Sequence, residues 1–236
     1  MAITPYLAMT AAEYKKSSNI PPKMAWMACH FSPYAAALSN MPGHLPDDAI
    51  LIVNDVTPMH RHDPIRIAEQ LRRCIANLNI HAVLLDFQRP NQDSMHDLIS
   101  RLLEALPCPV AVSALYAADH PCPVFLPPCP PHTTLQNYIA PWQSREIWLE
   151  AALEESEILL TETGTNFRDN IPSSYHEGGF EDHNLHCHYK IETTQSQAKF
   201  TLWRTREDLK NLLDQAQEMG IQKTIGLYQE LKEMEQ

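Results

Sequence analysis

Apolar positions in this chain fall into short runs with polar groups gathered at one end. The clearest is His81-Ala82-Val83-Leu84-Leu85-Asp86-Phe87-Gln88-Arg89-Pro90. Continuous Leu and Val runs mark strands of a parallel sheet covered on both faces. Period two puts Ala82, Leu84, Asp86 and Gln88 on one face and Val83, Leu85 and Phe87 on the other. The larger residues then face helices, and an acid and an amide stand at the strand's mouth. Ligands of α/β proteins sit beyond the carboxyl ends of the strands, so this mouth is the first place to look for chemistry.

The same pattern recurs along the chain. Strands are predicted at Ala25–Ser32, with His30 and Ser32 sharing a face, and at Ala49–Asp55, with Leu51, Val53 and Asp55 sharing one. Further strands are expected at Val110–Leu115, Val124–Leu126, Ile147–Ala152, Phe200–Arg204 and Thr224–Glu230. Amphipathic helices separate several of them. Asp63-Pro64 reads as an N-cap followed by proline at N1, ahead of Ile67, Leu71, Cys74, Ile75 and Leu78 at helical spacing. Asp93 or Ser94 opens a helix with the stripe Leu98, Ile99, Leu102, Leu103 and Leu106. Thr10 to Glu13 and Thr205 to Asp208 both cap helices, the second of which stops at Gly220. Thr134 to Ala140 predicts a short helix.

Two stretches break this rhythm. Only Tyr116 to Pro123 separate the fourth and fifth strands, too little for a crossover of a dozen residues. Residues 157–198 hold two strand-like runs, Glu157–Thr163 and His186–Glu192, around a polar loop containing glycines, expected as an antiparallel β-hairpin. Eight strand candidates interleaved with helices define the expected fold class. It is α/β, a (β/α)8 TIM-type barrel with some crossover helices missing or shortened and a hairpin excursion near 157–192. The whole chain, 1–236, is expected to form this one barrel domain, and an open parallel sheet is the alternative.

Composition narrows the function classes. A net charge of −11 argues against a nucleic-acid partner, and no run approaches the length of a membrane span. Six cysteines without a Cys-x-x-Cys pair point to reduced thiols and a cytoplasmic location. With 19 prolines and 6 glycines, glycine-rich phosphate cradles are absent, and no cofactor is called for. The partner expected is a small-molecule or carbohydrate ligand; the pattern leaves the oligomeric state open.

In a barrel, Asp55, Asp86, Glu150 and Glu230 gather at or near strand ends. Carboxylates in differing environments are what glycoside hydrolysis needs, one as acid and one as nucleophile or base. Asp86, Glu150 and Glu230 are therefore the catalytic candidates. His30, Asp55, Gln88, Trp148, Arg204 and Tyr228 are the ligand-binding candidates, the two aromatics as packing surface. The competing reading pairs these acids with Arg89, Arg145 or Arg204. Histidines offer another constellation, His60 and His62 after the second strand and His183, His186 and His188 in the excursion. With a carboxylate, His186 and His188 would make a metal-dependent hydrolase.

The run Val83-Leu84-Leu85-Asp86-Phe87-Gln88 resembles the strand-end motif of family 18 glycoside hydrolases, the chitinase-like TIM barrels, where an apolar strand ends in Asp-x-Glu. Asp86 falls on the motif's last aspartate and Gln88 on its catalytic acid, while Val83 and Leu84 replace its earlier aspartates. The resemblance covers about ten residues and the strand order. It implies a glycosidase-like barrel in which a glutamate protonates the leaving group. Gln88 has no such proton to give. A relative built this way recruits another acid, Glu150 or Glu230, or has become a non-catalytic carbohydrate binder.

Overall fold

The computed structural model describes residues 4–59, 61, 63–90, 93–172, 176 and 178–232. In chain order the first half runs β1 (Tyr6–Met9), α1 (Ala11–Lys16), β2 (Met24–Phe31), β3 (Leu38–Ser39), β4 (Ile50–Asn54), α2 (Pro64–Leu78), β5 (Ala82–Asp86) and α3 (Asp93–Ala105). There follow β6 (Val110–Ser113), α4 (Ala114–Ala117), β7 (Val124–Leu126), α5 (Leu135–Ile139) and β8 (Ile147–Ala151). Five strands come next, β9 (Glu154–Thr161), β10 (Gly164–Pro172), β11 (Phe180–Asp182), β12 (Cys187–Thr193) and β13 (Gln197–Trp203). The chain closes with α6 (Arg206–Glu218), β14 (Lys223–Leu227) and α7 (Tyr228–Leu231).

Eight parallel strands form a closed barrel in the order β1-β14-β8-β7-β6-β5-β4-β2, and β2 returns to pair with β1. This is a TIM-type barrel, and closure excludes the open sheet. β5 pairs in parallel with both β4 and β6. Its two faces separate as the period predicts: Ala82 and Leu84 lie in the barrel interior, Val83, Leu85 and Phe87 in the outer layer under the helices. The interior is built from Ala8, Ala25, Ala82 and Ala111 around the large side chains of Trp148 and Phe125. Four small residues make the room that two aromatic side chains fill.

Helix caps follow the sequence closely. Thr10 and Glu13 form a capping box, Asp63 accepts from the Arg66 backbone ahead of Pro64, and Thr205 and Asp208 form a second box. Gly220 takes a left-handed φ of 88° after α6, and Ile221 N–H bonds the Ala216 carbonyl at 2.9 Å, so the stop has the Schellman geometry.

Three expectations are corrected. Phe200–Arg204 is no barrel strand; Phe200–Trp203 ends β13, which pairs antiparallel with β9 and β12, and because Thr201 to Arg204 are all buried the run resembles a barrel strand in pattern alone. The eighth strand is instead Tyr6–Met9. The excursion is larger than a hairpin, a five-stranded antiparallel sheet ordered β10-β9-β13-β12-β11 between β8 and α6. The runs 157–163 and 186–192 do not pair with each other, because β13 lies between them. Finally, the last barrel strand ends at Leu227, and Tyr228 and Glu230 sit on α7.

Gly226 holds β14 close to β8. A Cβ built there would come within 2.3 Å of both the Ala151 carbonyl oxygen and Leu231 Cδ1. Gly226→Ala is expected to destabilise the protein by about 1–3 kcal/mol, the usual cost of overpacking. Thermal unfolding followed by circular dichroism checks this, and an unchanged melting temperature would contradict the packing described.

Candidate active site

Parity along the barrel strands decides which side chains reach the mouth. Trp148 is interior, so Glu150, two residues on, also points inward and stands opposite Ile225 of β14. Asp86 follows Ala82 and Leu84 on the inner face of β5, in register with Asn54 of β4. Ser113 has the same parity as the interior Ala111, and its hydroxyl donates to the Phe87 carbonyl at 2.6 Å. The inner layer at the carboxyl ends is therefore polar where the layer beneath it is apolar.

Two clefts flank Asp86. One, of about 760 Å3, is lined by Thr10, His30, Asn54, Asp55, Asp86 and Gln88 among others. The other, of about 530 Å3, is lined by Leu115, Pro127, Asp86, Gln88, Glu150 and Glu154 among others. A small recess of about 70 Å3 between them touches Asn54, Asp86, Glu150 and Leu227.

The carboxyls of this mouth are not equivalent. Burial raises Asp86, and the Asp55 charge adds to this, while the Gln88 amide opposes both by donating to its two oxygens at 3.2 and 3.4 Å. Burial, followed by the charges of Asp86, Glu154 and Glu230, pushes Glu150 up to about 7. Glu154 is also pushed up to about 7, by burial and by Asp169 and Glu230, with the Arg204 guanidinium acting the other way. Acids raised this far are divided between protonated and ionised forms near neutral pH, so they can either give or take a proton.

The predicted site residues divide by position. Asp86, Gln88, Glu150, Asp55 and His30 all line the two clefts. Asp55 is buried, and its oxygens accept from the Gln88 and Arg89 backbone at 3.0 and 2.9 Å, so it fixes the turn after β5. Glu230 accepts from the Leu153 backbone at 3.4 Å, which ties α7 to the segment between Glu150 and Glu154. Tyr228 packs against the outer hydrophobic layer. Trp148 has the predicted inward direction but lies deeper, fully buried, its Nε1 donating to Glu146 at 2.8 Å. Arg204 is buried, donating to the carbonyls of His186, Leu185, Pro130 and Cys129, and thereby joins the antiparallel sheet to the loop after β7.

The histidines of the excursion do not converge. His183 meets Glu181 at 2.9 Å on the surface, and His188 meets Asp208 at 2.8 Å while stacking on Trp203. His186 occupies a left-handed turn with φ 48°. His60 and His62 lie outside the described residues, among which no group of three or more His, Cys, Asp or Glu is placed to hold a metal ion. Among the described residues no helix is long and apolar enough to cross a membrane.

Sequence reasoning missed Glu154 and Asn54. Asn54 was hidden by reading Asp55 as the inward residue of its strand; parity with the interior Ile50 and Ile52 assigns Asn54 instead. Glu154 lies beyond the end of β8, where the period of two is interrupted, and its only signal is a second acid four residues after Glu150.

The fold and mouth define a TIM-type barrel with carboxyls at the carboxyl ends of its strands and an antiparallel sheet inserted after the seventh strand. No protein-family model and no curated protein matches the sequence. Among solved structures, the spore cortex-lytic enzyme SleL of Bacillus cereus shares the fold, with a TM-score of 0.53 and 7% identity over 95% of this chain and 70% of that one. A Bacillus subtilis protein described as a sporulation-specific glycosylase, YdhD, aligns with a TM-score of 0.48 and 9% identity, over 75% of this chain and 78% of that one.

Raised carboxyls carry a pH signature. A folded-state value near 7 against an ordinary 4.5 means that Glu150 favours folding when protonated, a contribution complete below about pH 4.5 and lost by about pH 7. Glu150→Gln is therefore expected to match the wild type in stability near pH 4.5 and to exceed it at pH 8, by up to about 3 kcal/mol. Denaturant melts at the two pH values check this; a difference independent of pH would refute the raised carboxyl.

Proposed function

We propose that this protein is a glycosidase-like barrel that binds a small polar or carbohydrate ligand at the carboxyl-terminal face of its strands and hydrolyses a glycosidic bond there. The observation that carries the reading is Glu150, an inward carboxyl raised to about 7 at the mouth of the barrel, with Asp86 beside it. Glu150 in its protonated form gives a proton to the leaving oxygen, and Asp86 in its ionised form, which the Gln88 amide favours by donating to it, faces the positive charge that develops on the sugar. The apolar wall of Leu115, Pro127 and Phe125 offers packing for a ring face. The fold shared with a spore cortex-lytic enzyme supports the reading. A cytoplasmic location belongs to the same proposal, since none of the six cysteines is paired.

A second reading, a carbohydrate-binding barrel without turnover, is favoured by one residue. Gln88 stands where the chitinase-like motif has its acid. The two readings separate in a panel of aryl glycosides assayed alongside sugar binding by calorimetry. Hydrolysis by the wild type, with Glu150→Gln lowering kcat by about 10²–10⁴-fold and sparing binding, is the expected outcome. Binding without turnover would move the protein to the second reading, and neither binding nor turnover would end both.

A further inference from the structure

We propose that Glu154, delivered by the first strand of the inserted sheet, is the second carboxyl of the hydrolytic pair and acts as the base toward water opposite Glu150. The inference rests on the glycosidase reading and adds a residue and a role to it.

Three observations converge on Glu154. Its side chain is 7% exposed, and its Oε2 has no hydrogen-bond partner among the described residues. A buried carboxyl oxygen without a partner is costly in a native fold, and an occupant that supplies one relieves that cost. Glu154 also lines the same cleft as Asp86, Gln88 and Glu150, so that occupant enters from the mouth. Its backbone, finally, is held firmly: Arg204 N–H donates to the Glu154 carbonyl at 3.2 Å, and Glu230 pins Leu153 beside it. A fixed main chain carrying an uncommitted carboxyl is the arrangement wanted for a group that handles a proton.

Glu154 has no ion-pair partner of its own among the described residues. The Arg204 guanidinium is committed to backbone carbonyls, and Asp169, the nearby acid, is engaged by Ser156 at 2.6 Å and His132 at 3.1 Å. Glu150 and Glu154 come from different elements, one from a barrel strand and one from the sheet, and the Glu154 charge acts to raise Glu150. Near neutral pH such a pair carries about one proton between its members.

The step balances with that single proton. Water oxygen bonds to the anomeric carbon and passes a proton to the Glu154 carboxylate. The bond from that carbon to the leaving oxygen breaks, and the leaving oxygen takes the proton of Glu150. The proton on Glu154 then returns to Glu150 through solvent, so one water is consumed and one glycosidic bond becomes two hydroxyl groups.

The test uses the full chain, with 4-methylumbelliferyl hexosides and N-acetylhexosaminides as probes. Glutamine is nearly isosteric with a protonated glutamate, so Glu154→Gln is first compared with the wild type for a cooperative melt at pH 5. Its kcat is expected to fall about 10²–10⁴-fold with KM little changed, and the fall in rate toward low pH is expected to vanish from its pH profile. Glu154→Ala is expected to recover activity with added formate or azide, which a merely structural role would not allow. A Glu154→Gln enzyme with wild-type kcat and an unchanged acid limb, or an alanine variant that formate and azide leave inactive, would overturn the assignment while leaving the glycosidase reading intact. A wild type that turns over none of these probes would instead remove that reading, and the role of Glu154 with it.

Discussion

Closure of the barrel by a strand of four residues is the constraint on which the rest depends. Tyr6–Met9 pairs in parallel with β14 on one side and β2 on the other, and no other segment joins those two strands. Without it both would expose an unpaired edge, and Ala8 would leave a gap in the interior. The strand is anchored by Leu7 N–H to the Lys23 carbonyl at 2.9 Å, and Lys23 Nζ reaches back to the Thr4 carbonyl at 3.1 Å. Because the ring is closed, inward side chains from strands far apart in sequence meet at one mouth. Glu150 and Asp86 face a common recess for this reason alone.

The mouth is also selective in which of its polar groups remain available. Asn54 donates to the Met27 carbonyl at 2.9 Å and Ser113 to that of Phe87. Arg89 donates to the carbonyls of Asp55 and Val56, and its own carbonyl accepts from the Tyr116 hydroxyl. Neutral and basic groups are thus spent on fixing the strand ends. The carboxyls of Asp86, Glu150 and Glu154 have no Lys or Arg in ion-pair contact among the described residues. Structural bonding thus commits Asn54, Ser113 and Arg89 to the strand ends and leaves the carboxyls facing the clefts.

Much of this was legible in the sequence, and the failures have physical causes. β5 was readable because both of its faces are buried, so its apolar run is continuous and the first polar residues mark its end. Tyr6–Met9 was not, since four apolar residues ahead of a helix cap carry no period of their own. Counting to eight without it drew in Phe200–Arg204, whose last four residues are buried like those of a barrel strand although the run belongs to an antiparallel sheet. Depth was the other hidden variable. Parity correctly turned Trp148 inward, but period two is silent on how far along the barrel axis a residue lies, and Trp148 fills the interior below the mouth. Glu154 escaped because strand patterning lapses between β8 and β9, where the chain leaves the barrel for the sheet.

Gln88 acquires a physical role in this setting. Asp86, Glu154 and Glu230 already act together on Glu150, in a chain of net charge −11. A glutamate at position 88 would add one more acid to these and to Asp55, and would strengthen the repulsion that already raises its neighbours. An amide there does the opposite. It donates to both oxygens of Asp86 and carries no charge, so it favours the ionised form of that one acid without changing the charge of the site. The amide thus works against the burial and the Asp55 charge that raise Asp86, whereas the neighbouring charges all act to raise Glu150. Two acids in comparably buried positions are thus distinguished by one amide, which opposes the upward shift of Asp86 alone, and differing environments are the condition under which a pair of carboxyls can divide the parts of donor and acceptor.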